Sequence, residues 1–465
     1  MGYLVQMKGE RATEFRDTPS EILKTFKIIL LCLSTLLFFS CYGQTGSSPI
    51  QKKSQHAAFD YFDPNSSTTF KIEEVEYRFA DENIGLARAL YLQKDFSAVE
   101  KKIMDLLSGL NEEKSIELSS LYDLLSMIPD DKHIDFMHRT LNEWCEKHPL
   151  SHVSFLVRGG FFINWAWSIR GTGFADTVSE KTWPLFNEKL NLAKKDLEKS
   201  FTINPKDPNS SRCLITVSMG LGLPEDTMEQ YFQNAITACP SDFKTYIQKM
   251  MYLLPKWHGT NEKMLAFARE SVSLSNQYPC LGIIQAMAFT EMQSENKQKE
   301  NILGREDIWP EIEGIYKKIF ERYPDNLIMQ FYYAYYAGKA KKYDIALTQF
   351  ELIGNRWIEN TVWYAFETYR NVRAFTYYKI GENLLFVRRL YQPSIDFFQR
   401  SIRYKPTDQA FYGLGLAYWY TGNSLRDVSL LKKAETSLQK AIELNPDHKK
   451  AKEQLQKLQG ILRRS

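Results

Sequence analysis

The sequence carries almost no excess of charge of either sign. Its 465 residues include 59 Lys and Arg against 56 Asp and Glu, a formal net charge of +3. Proteins that bind nucleic acid usually present a strongly basic face, because neutralised phosphates supply much of their affinity. The near balance gives no electrostatic reason for such a partner, and we predict that the protein binds no nucleic acid.

Recognisable catalytic motifs are also missing. The sequence contains no Gly-x-Ser-x-Gly, no His-Glu-x-x-His and no P-loop lysine motif. Gly171 and Gly173 are followed by Asp176 where a dinucleotide-binding fingerprint requires glycine, and no strand signal precedes them. We therefore predict that the protein is not an enzyme and that it needs no cofactor.

Cysteine is scarce, and its spacing argues against a zinc site. Four cysteines lie beyond residue 41: Cys145, Cys213, Cys239 and Cys280. They form no C-x-x-C pair. Since cysteine behaves as a small apolar side chain, we expect buried thiols, and a disulfide remains open in an oxidising compartment. His148 and His152 have a ligand spacing for a helix, but Pro149 between them favours a turn.

One long apolar run lies near the N-terminus. Lys24 and Lys27 precede an apolar core from Ile28 to Phe39. A basic region followed by a short apolar core is typical of an export signal, and this core is too short to span a bilayer comfortably. No second run of this kind follows. We predict that the remaining chain of about 400 residues is globular, with more than one domain or one long repeat array.

The end of this run resembles the signal of bacterial lipoproteins. Ser40 is a small residue directly before Cys41, and Phe38 stands where the family usually has leucine. The resemblance implies acyl chains on Cys41 that hold the protein in a Gram-negative cell envelope, on the periplasmic face or at the outer membrane. An uncleaved anchor helix is the alternative. The polar residues after Cys41 are typical of a flexible tether.

The C-terminal half repeats small and large residues at fixed offsets. One set comprises Ala434, Leu438, Ala441 and Pro446. The same offsets recur one repeat earlier in Ser394, Phe398, Ser401 and Pro406. Between them, Gly415 and Tyr418 occupy positions expected on a first helix. Small residues let two antiparallel helices approach, large residues fill the space between them, and proline ends the second helix.

This pattern resembles the tetratricopeptide (TPR) repeat. The resemblance implies an all-α fold of stacked helical hairpins forming a TPR-like α-solenoid, whose concave groove suits an extended peptide. Gly415 and Ala434 stand about seven residues further apart than in the family's repeat. Either the two helices are longer, or residues 423–431 protrude as a loop.

Weaker copies of the pattern continue toward the N-terminus. Their second-helix residues are Ala346 and Phe350; Ile312, Tyr316, Ile319 and Pro324; Met228, Phe232, Ala235 and Pro240; Ala193, Leu197, Ser200 and Pro205; and Met137, Leu141, Trp144 and Pro149. The loosest copy has Leu86, Ala87, Leu90, Phe96, Val99 and Ile103. Strand signals are nearly absent, because no sustained alternation of apolar and polar residues adjoins a hairpin turn.

The last residues have the pattern of a capping helix. An apolar stripe comprises Ala451, Leu455, Leu458 and Leu462, and lysines and arginines cover the rest. Such a helix covers the open face of the last hairpin while it stays soluble. A basic amphipathic helix that touches anionic lipid is the alternative.

The middle of the chain is rich in glycine and tryptophan. One segment reads Arg158-Gly-Gly-Phe-Phe-Ile-Asn-Trp-Ala-Trp-Ser-Ile-Arg-Gly-Thr-Gly-Phe-Ala175, and Met219-Gly-Leu-Gly-Leu223 and Leu254-Pro-Lys-Trp-His-Gly-Thr260 follow it. These segments resemble an uncharacterised bacterial family, domain of unknown function 4034, over roughly residues 150–290. The resemblance implies no activity, but it marks the stretch as a specialised block.

Six residues of this block are possible ligand or partner contacts. They are Arg158, Trp165, Trp167, Arg170, Trp257 and His258. The two arginines suit either an anionic group or the carbonyls at helix ends. The tryptophans suit a stacked small molecule or carbohydrate, or else a helical core. His258 suits a surface ligand or acid–base role, or a loop position packed beside Trp257.

Two classes of function remain open. The favoured one is a membrane-anchored TPR-like scaffold that binds a peptide or protein partner in the bacterial cell envelope. The alternative is small-molecule or carbohydrate binding, or an unrecognised enzymatic site, in the block 151–290. The predicted divisions are a signal peptide (1–41), a tether (42–57), N-terminal helical repeats (58–150), the specialised block (151–290), a linker (291–305) and TPR repeats with a capping helix (306–465).

Overall fold

The computed structural model describes residues 69–72, 75–79, 83–128, 131–171, 175–295, 300–358 and 366–463. The predicted signal, Cys41 and the tether lie outside these ranges. The first ten α-helices are α1 (Ile84–Arg88), α2 (Phe96–Leu107), α3 (Glu112–Ser126), α4 (Ile134–Lys147), α5 (His152–Arg170), α6 (Trp183–Ile203), α7 (Pro208–Leu221), α8 (Glu225–Ala238), α9 (Phe243–Tyr252) and α10 (Asn261–Ser273). The others are α11 (Ile283–Glu295), α12 (Trp309–Arg322), α13 (Leu327–Lys339), α14 (Tyr343–Ile353), α15 (Phe366–Glu382), α16 (Tyr391–Tyr404), α17 (Asp408–Leu425), α18 (Val428–Leu444) and α19 (Lys449–Leu462).

Consecutive helices pack as hairpins, and each hairpin packs on the next. The most extensive helix pairs are α5 with α6, α7 with α8, α13 with α14, α15 with α16, and α17 with α18. The predicted all-α, TPR-like solenoid is therefore confirmed. Across the described ranges, no helix combines the length and apolar character needed to cross a bilayer.

Proline sets the end of the second helix in most hairpins. In each case the helix ends two residues before the proline: Pro149, Pro205, Pro240, Pro324, Pro406 and Pro446. A residue that precedes proline is pushed out of the helical region, so the residue between helix and proline becomes extended. Tyr404 and Lys405 illustrate this, since Tyr404 ends α16 and Lys405 has φ −156° and ψ 110°.

The predicted repeat residues form the core between helices. Ala434, Leu438 and Ala441 are fully buried, as are Ala193 and Leu197 in an earlier hairpin. The extra residues after Gly415 lengthen the two helices, because α17 has 18 residues and α18 has 17 with a short turn between them. The longer-helix alternative is correct for this repeat.

The last helix covers the final hairpin as predicted. Ala451 and Leu458 are fully buried, and Leu455 and Leu462 pack beside them against the core of α17 and α18. The lysines of α19 lie on its outer side, where Lys449 and Lys450 are exposed.

A small sheet was not predicted. Strands β1 (Thr69–Ile72) and β2 (Val75–Phe79) pair antiparallel, and β2 pairs parallel with β3 (Arg356–Trp357). Arg78 lies opposite Arg356, and Phe79 lies opposite Trp357. The strands have only four, five and two residues, too few for a sustained alternation in the sequence. The sheet ties an N-terminal strand to the segment after α14.

Candidate functional site

Three tryptophan rings surround the guanidinium of Arg170. Its central carbon lies 5.3 Å from the ring centroid of Trp167 and 5.6 Å from those of Trp183 and Trp257. Trp167 and Arg170 lie on α5, Trp183 begins α6, and Trp257 follows α9. The rings of Trp167 and Trp257 are nearly perpendicular, with centroids 5.5 Å apart. The hairpin fold thus brings together residues as far apart in the sequence as Trp167 and Trp257.

We call the three rings of Trp167, Trp183 and Trp257 the cage. The space between them is filled by a cation of the chain itself, the guanidinium of Arg170. Arg170 is only 8 % exposed, and burial lowers its pKa from the ordinary value. Its Nη1 donates a hydrogen bond to the carbonyl of Gly171, in line with the predicted role at a helix end. A cation within 6 Å of three aromatic faces gains from each of them. The arrangement locks the end of α5 to α6 and to the loop after α9.

Arg158 and Trp165 make separate contacts outside the cage. Arg158 donates from Nε and Nη2 to the two carboxylate oxygens of Asp196, at 2.7 and 2.8 Å, and from Nη1 to Asn142. Trp165 is covered by Lys189, whose Nζ lies 4.2 Å from the ring centroid. The two arginines therefore do not form a joint anion site.

His258 is held by the backbone of α7 and by a tyrosine. Its Nε2 lies 2.9 Å from the carbonyl oxygen of Met219, and its ring centroid lies 4.7 Å from that of Tyr252. The ring contact is with Tyr252, whereas the sequence pointed to Trp257. Within the described ranges, no three His, Cys, Asp or Glu side chains are grouped as metal ligands would be.

Helix α3 packs across the first helices of the following hairpins, namely α5, α7 and α9. At its C-terminal end the amide of Asn164 on α5 donates to the carbonyl of Ser126 at 2.8 Å. At its N-terminal end Glu112 accepts from the backbone N–H of Cys280 at 2.9 Å and from the hydroxyl of Tyr323 at 2.8 Å. A helix of 15 residues spans about 22 Å. Its contacts therefore run from α5 to Tyr323, the residue that directly follows α12.

A buried ionic cluster joins α3 to α7 and α9. Asp123 on α3 accepts from Arg212 Nη2 at 3.1 Å and from Lys244 Nζ at 2.7 Å. Arg212 is fully buried, and Asp123 is 2 % exposed. Although burial opposes the charge of Arg212, the neighbouring Asp123 raises its pKa overall. Burial raises the pKa of Asp242, which directly precedes α9 and accepts from Ser119 of α3.

A second polar contact joins α3 to the start of α7. The hydroxyl of Tyr122 donates to Asp207 Oδ2 at 2.6 Å, and His152 Nε2 lies 3.2 Å from the same oxygen. Burial opposes ionisation of Asp207, but His152, Tyr122 and the N–H of Asn209 together lower its pKa. Glu112, Asp123 and Tyr122 thus fix α3 at several points along its length. Along its course α3 packs against α5, α7 and α9.

Exposed apolar side chains collect at two turns of the C-terminal hairpins. Between α15 and α16, Phe386 is 51 % exposed and Val387 is 72 % exposed. Between α17 and α18, Leu425 is 66 % exposed. The rings of Tyr391 and Tyr420 connect the two turns, with centroids 5.1 Å apart. We call this the turn surface; it comprises Lys341, Lys342, Phe386, Val387, Arg388, Arg389, Leu390, Tyr420, Leu425, Arg426 and Val428.

Basic residues occupy the same place in these two turns and in the turn between α13 and α14. Lys341, Arg389 and Arg426 have φ values of 62°, 56° and 55°, in the left-handed region that favours glycine. Each lies just before a second helix, as does Lys94 before α2 with φ 55°. Sequence reasoning missed this surface. The available signal was the recurrence of Lys or Arg two positions before α2, α14, α16 and α18.

A cleft of about 630 Å³ opens into the turn surface between α14 and α15. Its walls include Lys341, Lys342 and Ile345 on one side and Ile380, Phe386 and Val387 on the other. The end of α15 continues as a π-helical turn, Asn383–Val387, which carries Phe386 and Val387 to the rim. Apolar walls with a few charged groups are typical of binding sites.

Comparisons with known proteins give no family for this chain. No family model and no curated protein matches it. Among solved structures, a human IFIT1 dimer with m7Gppp-AAAA is 13% identical over 82% of this chain and 81% of its own, with a TM-score of 0.31. The APC/C hetero-tetramer Cut9–Hcn1 is 11% identical over 80% and 74%, with a TM-score of 0.27. Yeast Tom70 is 12% identical over 80% and 86%, with a TM-score of 0.23. At these values the similarity bears on neither partner nor activity, and the chain stands as an all-α repeat protein with an exposed turn surface.

Proposed function

We propose that the protein is a scaffold of the bacterial cell envelope, tethered to a membrane by lipid on Cys41, that binds a protein partner through the turn surface. The exposure of Phe386 and Val387 at one cleft, with Leu425 exposed at the next hairpin turn, carries this proposal. Large apolar side chains clustered on a surface mark interaction sites more often than isolated ones do. The favoured scaffold function is thus retained, but its binding surface moves from the inner groove to the turns.

The small-molecule alternative receives no support from the tryptophans. Arg170 already occupies the space between Trp167, Trp183 and Trp257. A carbohydrate ring would have to displace a buried guanidinium that has several aromatic partners. We therefore propose no ligand for the block 151–290.

Site-specific photo-crosslinking tests the binding surface. We would place a photoreactive amino acid at Val387 in the full-length protein in cells and irradiate. We expect a discrete adduct with another envelope protein, identified by mass spectrometry. The matched control is the same probe at Leu352, which is 53 % exposed but lies at the far end of α14. Equal adducts from both positions, or none from position 387, would contradict the proposal.

The anchor is tested separately by Cys41→Ala. We expect this variant to leave the membrane fraction or to retain the unprocessed signal, because the acyl chains have no other attachment point. Membrane partition and gel mobility equal to those of the parent protein would argue against lipidation. This outcome would leave the partner surface untouched.

A further inference from the structure

We infer that the cleft between α14 and α15 binds an acidic peptide segment that carries one large apolar side chain. This inference rests on the proposed function, since it names the chemistry of the partner at the same surface. Three features of the cleft support it: an apolar recess, an excess of unpaired positive charge, and a strained backbone at two of the basic residues.

The recess suits an inserted side chain. Ile345 and Ile380 are half-buried in the walls, and Phe386 and Val387 stand exposed at the rim. The volume of about 630 Å³ is within the range of pockets that bind peptides and small molecules. A Phe or Leu of a partner would remove apolar surface from water on both sides. A flat bilayer would touch only the rim and would leave the recess empty.

The charge around the recess is positive and largely uncompensated. Lys379 is paired with Glu382 at 2.7 Å, and Glu382 also accepts from the hydroxyl of Tyr378. In the part of the chain that the structure describes, no ion pair engages Lys341, Arg388 or Arg389. Asp344 is the remaining acid of the lining. Carboxylates on both sides of an apolar anchor would match these cations.

Two of these cations are held in an uncommon backbone conformation. Lys341 and Arg389 have positive φ values at turns where glycine would be free of strain. Backbone strain of this kind is more frequent at binding and catalytic sites than elsewhere. Lys341 lines the cleft, and Arg389 follows Val387 of its rim by two residues.

The test uses full-length protein in detergent micelles and a fluorescent peptide in which Asp and Glu flank a single Phe. We expect binding, followed by fluorescence anisotropy, that weakens as salt is added. Lys341→Glu with Lys342→Glu should weaken it by about tenfold. Phe386→Ser with Val387→Ser should also weaken it by about tenfold, because the recess loses its apolar rim. All four side chains are exposed or half-buried, so the variants should fold, which circular dichroism would verify.

Matched controls separate this site from general effects. Lys449→Glu with Lys450→Glu reverses an equally basic exposed pair on α19, and Leu352→Ser removes an equally exposed apolar side chain. Neither should change the affinity. A peptide with Lys in place of Asp and Glu, or with Gly in place of Phe, should bind at least about tenfold more weakly. Equal binding of the acidic and basic peptides would overturn the inference.

Two further outcomes would replace the peptide with another occupant. A photo-crosslink from position 387 to phosphatidylglycerol in reconstituted vesicles, with no peptide binding, would assign the surface to the membrane. A crosslink between two copies of the chain would assign it to self-association. If the cellular crosslink finds a protein partner but acidic peptides do not bind, the proposed function stands and only the chemistry of the segment is wrong.

Discussion

Gly159 lies so close to Leu197 that a methyl group on the glycine would stand 2.7 Å from Leu197 Cγ. The same relationship recurs between Gly415 and Leu438, where the distance would be 2.8 Å. In both hairpins the next neighbour is the carbonyl of an alanine on the second helix. The specialised block and the C-terminal repeats therefore use one packing device, a glycine that lets the paired helices approach.

Substitution at these glycines tests the device. We expect Gly159→Ala and Gly415→Leu each to lower the free energy of unfolding by about 1 to 3 kcal/mol, because the added atoms overpack the interface. The measurement is urea unfolding followed by circular dichroism. Gly314→Ala is the control, since nothing lies within 4 Å of the position. It should raise stability by about 0.5 to 1 kcal/mol, as expected for an exposed helical glycine. Similar losses of stability at Gly159, Gly415 and Gly314 would contradict the helix pairing in which only Gly159 and Gly415 lie at a close approach of two helices.

The ionic cluster under α3 gives a second prediction. Asp123→Ala leaves Arg212 and Lys244 buried without their shared carboxylate, and we expect a loss of about 3 to 5 kcal/mol. Arg212→Met should cost less, because Lys244 still pairs with Asp123 and no charge is left alone. Glu143→Ala, at a surface pair with Lys94 and Lys147, should leave the urea midpoint unchanged. A loss for Asp123→Ala no larger than for Glu143→Ala would show that the cluster does not hold α3.

Histidine 138 makes stability depend on pH. Burial and the charges of Arg158 and Lys189 lower its pKa from 6.5, against the opposing effect of Asp135 and Asp196. The folded protein therefore prefers neutral His138, and the unfolded chain takes up the proton first. The stabilisation that comes from neutral His138 is fully present above pH 6.5. It is lost as the pH falls from 6.5 toward the lowered pKa of His138 in the folded state. We expect His138→Gln to reduce the slope of stability against pH in that window. Equal slopes of stability against pH for the parent protein and for His138→Gln would contradict the assignment of this pH dependence to His138.

The strained turn before α18 can be relieved. We expect Arg426→Gly to raise the free energy of unfolding by up to about 1 kcal/mol, because a left-handed backbone costs about that much for a residue with a side chain. Lys432→Gly inside α18 removes a similar side chain from a helical position, and it should lower stability by about 1 kcal/mol. Thermal melts of both variants would measure these two opposite changes in stability. Destabilisation by Arg426→Gly would mean that its side chain contributes more than the backbone strain costs.

Sequence patterns predicted the helices that depend on local chemistry. Leu438 and Ala441 could be assigned because small and large residues alternate at helical offsets, and Pro446 marks the end of the helix. The capping role of α19 followed from one apolar stripe. These features need only neighbouring residues, and a single sequence carries that information.

The course of α3 could not be predicted in this way. Its buried face includes Ser119 and Asp123, which look like solvent-facing positions until their partners, Asp242, Arg212 and Lys244, are known. Those partners lie far along the chain, so no periodic signal connects them. The same limit applies to Arg170: the tryptophans were recognised as a group, but the residue that fills the space between them follows only from three-dimensional packing.

The path of α3 changes how the protein can fold and evolve. Glu112 contacts Tyr323, 211 residues later in the sequence. During synthesis, α3 is translated long before Tyr323 and the other segments that it contacts. Its apolar residues therefore stay exposed to solvent until those segments have been made. An ordinary repeat array tolerates the loss or gain of a repeat, because each repeat contacts only its neighbours. Here one internal helix, α3, contacts α5 at one end and Tyr323, directly after α12, at the other. Its length must therefore match the distance between those two places. Deleting or duplicating a hairpin in that stretch would misplace its contacts, so the number of hairpins there is fixed by the length of α3.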